Sequence, residues 1–322
     1  MRSVQVTRLD GPRGVEVLDV PEPVAGEGAV LVEVRALGIS WPDLLLSRGE
    51  YQLKPDVPFQ LGVDFAGVVR SAPDDAHVAE GDRVACCLPY GGGADVVAVA
   101  ADGLFALPDA VSFEKAAALP MNYLTAQFAL GTRGSLRPGE TVLVHGASGG
   151  VGTATLQVAK GYGARTVAVV STEEKAEFVR GLGADHVVLV DGFLSAVKEL
   201  TDGRGVDVVV DVVGGDLMTD SLRALASEGR LLVVGFTGGS IPEVRVNRLL
   251  LNNIDVRGVG WGAYAMTRPG YMRAQWEQLL PMLESGVVDP PVASTYPLEE
   301  AGRALSEMAE RRVLGKTVLT LR

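Results

Sequence analysis

The sequence predicts an α/β protein: a doubly wound parallel sheet, accompanied by a second, mostly β domain built from both ends of the chain. Three observations carry this expectation. Between Thr141 and about Gly260, near-continuous apolar runs alternate with helix-period segments, the pattern of parallel strands buried on both faces. The first hundred residues instead hold short strand-like runs separated by turn chemistry. And the stretch VLVHGASGGVGTATLQVAKGYGARTVAVVSTEEK, from Val142 to Lys175, reads as strand, glycine turn, helix, strand.

Taken in order, the N-terminal strand candidates are Ser3–Thr7, Val15–Val20, Ala29–Ala36, Ala66–Val69, Arg83–Cys87 and Asp95–Ala100, with turns at Asp10-Gly11-Pro12, Gly26-Glu27-Gly28 and Gly91-Gly92-Gly93. Helices are expected near Ser112–Ala118 and over Tyr123–Leu130. The parallel strands are read at Val142–Val144, Thr166–Val170, His186–Leu189, Val206–Asp211, Arg230–Gly235 and Ile254–Val259. The intervening helices are Gly150–Gly161, Glu173–Gly181, Phe193–Leu200 and Leu217–Ala226. The tail gives helices over Gly270–Glu284 and Leu298–Glu310 and a strand over Lys316–Leu321, expected to rejoin the N-terminal domain. The domains are thus expected at 1–122 with 262–322, and at 123–261.

At 322 residues the chain exceeds one typical core. Its hydrophobic share of 47% and charged share of 21% belong to ordinary globular proteins. A net charge of −11 argues against nucleic-acid or anionic-membrane partners, which need a basic surface. No leader pattern and no long apolar run is seen, so a cytoplasmic protein is expected. The two cysteines, Cys86 and Cys87, are adjacent and read as small buried residues.

The glycine turn, Ala147-Ser148-Gly149-Gly150-Val151-Gly152, follows a strand and opens a helix, the context in which such a loop cradles a pyrophosphate. Gly149 permits close approach of the anion and Gly152 close packing of the helix on the sheet; Ala147 replaces the first glycine of the usual spacing. Without a ligand, the same residues would simply make a tight βα turn. At the end of the second strand, where an acidic residue would hold NAD ribose hydroxyls, stands Ser171, followed by Thr172 and Lys175. Ser171 and Lys175 suit the 2′-phosphate of NADPH; Thr172 as N-cap with a solvated Lys175 is the plainer alternative, and Glu173 and Glu174 oppose the phosphate.

With these segments in order, Gly38-Ile39-Ser40-Trp41-Pro42-Asp43, Leu61-Gly62-Val63-Asp64-Phe65-Ala66-Gly67-Val68-Val69, Glu80-Gly81-Asp82-Arg83-Val84, Leu124-Thr125-Ala126, the glycine loop and Gly315-Lys316, the chain resembles the medium-chain dehydrogenase/reductase superfamily over its full length. The zinc-free quinone oxidoreductase (zeta-crystallin-like) branch is the most similar. The resemblance implies a Rossmann domain, a GroES-like catalytic domain, and Lys316 among the cofactor-binding residues. Zinc-dependent relatives carry a cysteine ligand in place of Ser40 and a histidine in place of Val63, and the four-cysteine lobe is missing; no metal site is expected. His145 reads as a packed residue.

Without a metal Lewis acid, reduction of an electron-poor acceptor is easier than oxidation of an alcohol. The catalytic candidates are Tyr51, Ser40 and Asp43. Tyr51 matches a family tyrosine but is equally suited to packing a loop beside Pro55 and Pro58; Asp43 equally suits a loop cap. Ser40 and Leu45 replace a family asparagine and tyrosine, and Val190 a tyrosine near the adenosine. Asn122 and Thr125, which open a helix, and Gly235, Phe236, Gly260 and Trp261, at strand carboxyl ends, are expected near the nicotinamide, with Asn122 as a plain N-cap the alternative. The leading expectation is an NADPH-dependent quinone or enone reductase. An enoyl-thioester or 2-alkenal reductase, or a non-catalytic NADPH-binding protein, is the alternative. The run Asn253–Val259 is expected to pair across a homodimer axis.

Overall fold

The computed structural model describes residues 1–321, which divide into two compact units. The first comprises Met1–Asn122, Arg268–Glu277 and the chain from Pro290 onward; the second comprises Tyr123–Thr267 and Gln278–Asp289. Residues 262–267 and 278–289, read from the sequence as part of the first domain, therefore pack with the second.

The first unit opens with β1 (Arg2–Val6), β2 (Val15–Asp19), β3 (Ala29–Ile39), α1 (Trp41–Arg48), β4 (Phe59–Gln60), β5 (Asp64–Ser71), β6 (Arg83–Cys87), β7 (Val96–Ala100), β8 (Leu104–Ala106) and α2 (Phe113–Ala117). The second holds α3 (Thr125–Gln127), β9 (Thr141–His145), α4 (Gly150–Gly161), β10 (Arg165–Val170), α5 (Glu173–Gly181), β11 (His186–Leu189), α6 (Phe193–Leu200), β12 (Val206–Asp211), α7 (Leu217–Ala224), β13 (Leu225–Val233), α8 (Asn247–Asn252), β14 (Asp255–Gly258) and α9 (Trp261–Ala265). After α10 (Tyr271–Glu284), the chain finishes in the first unit with β15 (Val292–Pro297), α11 (Ala301–Ala309) and β16 (Lys316–Thr320).

In the first unit β3 is the organising strand. It pairs antiparallel with β5, β7 and β16, so its burial alternates at first and becomes continuous toward Ile39. The sheet order is β15-β16-β3-β5-β6-β8, and β2-β1-β4 forms a separate three-stranded sheet. At the end of β3 the chain enters α1, a helix with no counterpart in the sequence expectation. Its signals are local: Pro42 in the first turn, Asp43 accepting the Ser40 N–H at 2.9 Å, and Gly49 in the left-handed conformation (φ 69°) at the end. Gly62 (φ 105°) brings its turn so close to Gly93 that an added Cβ would lie 2.5 Å from the Gly93 nitrogen.

The second unit's sheet is wholly parallel, in the order β11-β10-β9-β12-β13-β14. Counted within the unit this is 3-2-1-4-5-6, with the reversal of winding between β9 and β12. Val142, Leu143, Val144, Val208, Val209 and Val210 are wholly inaccessible, because helices cover both faces. β13 starts at Leu225, not Arg230: the chain bulges, with Glu228 at φ 63°, and pairing with β12 resumes at Arg230. The stretch read as a helix over Tyr123–Leu130 is π-helical at Pro120–Leu124 and Phe128–Arg133, with α3 in between. Asn122 is therefore inside helical structure and is no N-cap. Short α8, α9 and β15 were not expected; α8 ends at its C-cap Asn253, which is in the left-handed conformation.

Candidate active site

The glycine loop lies between β9 and α4, where the winding of the sheet reverses. Gly149 is the N-cap of α4, and no side chain caps this end, so the first-turn amides and the positive end of the helix dipole are left for an anion. The Ser148 hydroxyl stands beside them. An added Cβ on Gly152 would lie 2.2 Å from the Gly146 carbonyl oxygen, which no side chain tolerates. The left-handed turn is made by Gly146 (φ 61°), one residue before Ala147. Ala147, whose methyl is buried, is thus not asked for a left-handed conformation. Gly150 and Val151 form the first turn of α4. These residues fit a dinucleotide pyrophosphate.

Beyond β10, Lys175 Nζ donates to Ser171 Oγ at 3.2 Å, while Thr172 caps α5 by accepting the Lys175 N–H. Thr172 is thus a cap, and Ser171 and Lys175 form a hydroxyl–ammonium pair. Glu173 is drawn to Arg180 at 2.7 Å, which removes part of the opposing charge. Val190 packs against the apolar core of this unit.

At the carboxyl ends of β13 and β14, Gly235 is half-buried and Phe236 is exposed and lies over Gly214. Gly260 is exposed, but Trp261 is 3% exposed at the start of α9, so the indole belongs to the interior. Asn122 and Thr125 are both buried.

In the first unit the catalytic candidates meet an unexpected neighbour. Ser40 Oγ donates to Asp64 Oδ2 at 2.8 Å and accepts from Lys316 Nζ at 2.5 Å, and Lys316 Nζ pairs with Asp64 Oδ2 at 2.7 Å. Asp64 Oδ1 accepts the Met121 N–H. All three side chains are buried. Lys316 is therefore the counter-ion of Asp64, with two of its three ammonium hydrogens directed at Ser40 and Asp64. The one hydrogen of the Ser40 hydroxyl is directed at the Asp64 carboxylate. Asp43, wholly buried, accepts the N–H groups of Ser40 and Gly62, the capping geometry weighed for it from the sequence. Burial pushes its pKa up to about 7 against the pull of those N–H bonds.

Tyr51 differs from these. It is half-buried, and burial, with Cys87 and Asp43 nearby, raises its pKa above the ordinary phenol value. It stays protonated at neutral pH and can donate. The Cys87 thiol, also hydrogen-bonded to Asp64, is pushed well up, by burial first, and is held as a thiol. Among the described residues no group of three or more His, Cys, Asp or Glu side chains is arranged to hold a metal.

Comparison with known proteins agrees with this architecture. Residues 26–109 match the family described as the alcohol dehydrogenase GroES-like domain, and residues 150–285 the family described as zinc-binding dehydrogenase. Quinone oxidoreductase-like protein 2 of Rattus norvegicus is 37% identical over 325 residues, covering 100% of this chain and 92% of that protein. A probable oxidoreductase of Mycobacterium abscessus superposes with a TM-score of 0.92 at 44% identity, covering 100% and 99% of the two chains. Escherichia coli quinone oxidoreductase complexed with NADPH superposes with a TM-score of 0.89 at 29% identity, covering 100% of both. Fold and site define an oxidoreductase of the type that binds a nicotinamide dinucleotide. The chain belongs to the medium-chain dehydrogenase/reductase superfamily, in its quinone oxidoreductase branch.

Proposed function

We propose that the protein is a zinc-independent, NADPH-dependent reductase of quinones or related electron-poor acceptors such as enones. The observation that carries this is the pairing of an uncapped glycine-loop helix with a Ser171–Lys175 hydroxyl–ammonium pair one strand away. The first suits a pyrophosphate and the second a 2′-phosphate. NADPH, when bound, supplies the hydride. Ala147, Ser148, Gly149, Gly150, Val151 and Gly152 hold its pyrophosphate; Gly235, Phe236, Gly260, Asn122 and Thr125 line the nicotinamide end.

Tyr51 supplies the hydrogen bond or proton to the oxyanion that develops on the acceptor. Ser40 and Asp43 act beneath it, as parts of the network that fixes α1. Zinc independence is supported by Lys316: the hydroxyl that replaces a cysteine ligand already receives a cation from within the chain.

The protein is read as cytoplasmic, with a second copy of itself as its partner. β14 is an edge strand, and beside it Val246, Leu250 and Leu251 of the α8 segment are about three-quarters exposed, at 74%, 76% and 74%. Light scattering is expected to give a dimer that Val256→Pro dissociates; a monomeric wild type removes this part of the proposal.

The test is nicotinamide oxidation followed against benzoquinone, phenanthrenequinone, a short enone and a 2-enoyl thioester, with NADPH and NADH in parallel. Fast NADPH oxidation with quinones or the enone is expected, and Tyr51→Phe should lower kcat about 100-fold with unchanged NADPH affinity. Preference for the thioester would replace the acceptor class. NADPH binding without turnover would make the protein a binding module.

A further inference from the structure

Two buried polar atoms of the nucleotide-binding unit have no partner: His145 Nδ1 and Asp211 Oδ2. They belong to neighbouring strands. Val144 of β9 is paired with Val210 of β12 in parallel register, so His145 and Asp211, the last residues of these strands, follow side by side on the same face. This is the point where the winding of the sheet reverses, directly below the glycine loop.

The protons of the cluster can be assigned from its hydrogen bonds. Ser221 Oγ lies 2.8 Å from the Leu217 carbonyl oxygen, to which it donates its only hydrogen. The 2.8 Å contact between His145 Nε2 and the same Ser221 Oγ therefore needs its hydrogen on Nε2. Burial keeps the ring neutral, lowering its pKa to about 4 against the opposing charge of Asp211. Nδ1 is then a bare acceptor. Asp211 Oδ1 accepts the N–H groups of Val213 and Gly214 at 2.8 and 2.9 Å, and Oδ2 is an acceptor with nothing to accept. Two acceptors cannot bond to each other. What joins them must bring two hydrogens.

We propose that His145 and Asp211 together hold one internal water molecule, which donates to Nδ1 and to Oδ2, and that this bridge positions the nucleotide loop. Both arms of the bridge reach Gly146. His145 precedes it in the chain. Asp211 shapes the turn that follows β12, in which Gly214 and Gly215 are left-handed, and the Val212 and Val213 side chains of that turn lie 2.8 and 3.2 Å from where a Gly146 Cβ would be. Phe193 holds the imidazole edge-on, with ring centroids 4.9 Å apart. His145 and Asp211, both buried, are positioning residues that act through Gly146 on the loop.

The experiment uses the full chain labelled with 15N-histidine. It has three histidines, His77, His145 and His186, so the three imidazoles can be assigned by single substitutions. Long-range 1H–15N spectra are expected to show His145 neutral, with hydrogen on Nε2, from about pH 5.5 to about pH 8. Hydrogen on Nδ1 in that range, as the other tautomer or as imidazolium, would leave no acceptor there for a water to donate to and would overturn the proposal.

A second measurement separates position from charge. In Asp211→Asn the amide oxygen still accepts from Val213 and Gly214, and the amide nitrogen donates to the bridging water, which still donates to Nδ1. NADPH affinity, read by nicotinamide fluorescence, is expected within about threefold of wild type, with an equal or higher Tm. Asp211→Leu, which can neither accept nor donate, is expected to weaken NADPH at least tenfold. An Asn variant that binds as poorly as the Leu variant would show that the charge is required, and the bridge would be wrong. Neither readout depends on which acceptor is reduced.

Discussion

The two units each bury a group of polar side chains, and the two groups are built to opposite plans. In the first unit Ser40, Asp64 and Lys316 form a closed set, and each carboxylate oxygen of Asp43 and Asp64 meets a donor. In the second, His145 and Asp211 each leave an acceptor bare. A closed network meets its partners within the chain; an open one leaves acceptors that can take a donor from outside it. Ser40, Asp43 and Lys316, chosen from the sequence as site residues, all lie in the closed group.

The largest way to break this comparison is to open the closed network. Lys316→Met leaves Asp64 buried without its cation and is expected to cost about 3–5 kcal/mol in denaturant unfolding. Adding Asp64→Asn should recover part of that loss, since the uncompensated charge is then gone. If Lys316→Met instead kept stability and weakened NADPH, Lys316 would be a cofactor contact after all.

Next in size are two opposing pH effects. His145 has its folded pKa lowered to about 4 from 6.5, so the unfolded chain binds the extra proton. This contribution is present above pH 6.5 and is lost as pH falls toward 4, by roughly 3 kcal/mol at most. Asp43 has its folded pKa raised to about 7 from 3.8, so the folded chain holds the extra proton. That contribution is present below pH 3.8 and is lost as pH rises toward 7. Asp43→Asn removes the second slope, and unfolding free energy measured against pH should then climb more steeply between pH 4 and 6.5.

Gly152→Ala tests the cradle. Its methyl would meet the Gly146 oxygen and the Ala147 backbone, so about 1–3 kcal/mol of stability and at least tenfold in NADPH affinity should be lost, read by melting and fluorescence titration. The smallest expected effect is at the selectivity pair. Ser171→Asp should weaken NADPH by about tenfold, or ~1.4 kcal/mol, and leave NADH unchanged or improved. Equal losses for both cofactors would remove the 2′-phosphate role.

Much of the second unit could be read without coordinates. α4, α5, α6, β11 and β12 fall where periodicity predicts them, because parallel strands covered on both faces must be continuously apolar and their helices amphipathic. The glycine loop was equally visible, since its chemistry is carried by consecutive residues. α1 was missed, although Pro42, Asp43 and Gly49 are ordinary helix-end residues, because Leu44-Leu45-Leu46 gives no helical period. The bulge at Glu228 was missed because it depends on pairing with β12.

By itself, then, the sequence determined the doubly wound fold and the strand–glycine turn–helix of residues 142–161, and it offered Tyr51, Ser40 and Asp43 together as catalytic candidates. Tertiary structure alone decided which partners these candidates meet. Ser40, Asp64 and Lys316 are far apart in the chain, as are His145, Asp211 and Ser221, and whether a hydroxyl, an ammonium or an imidazole is free to act depends on whose hydrogen it has already taken or given. Local patterns fix strands, caps and turns because those interactions span a few residues. The satisfaction of a buried polar atom is settled across strands, and no window of sequence contains it.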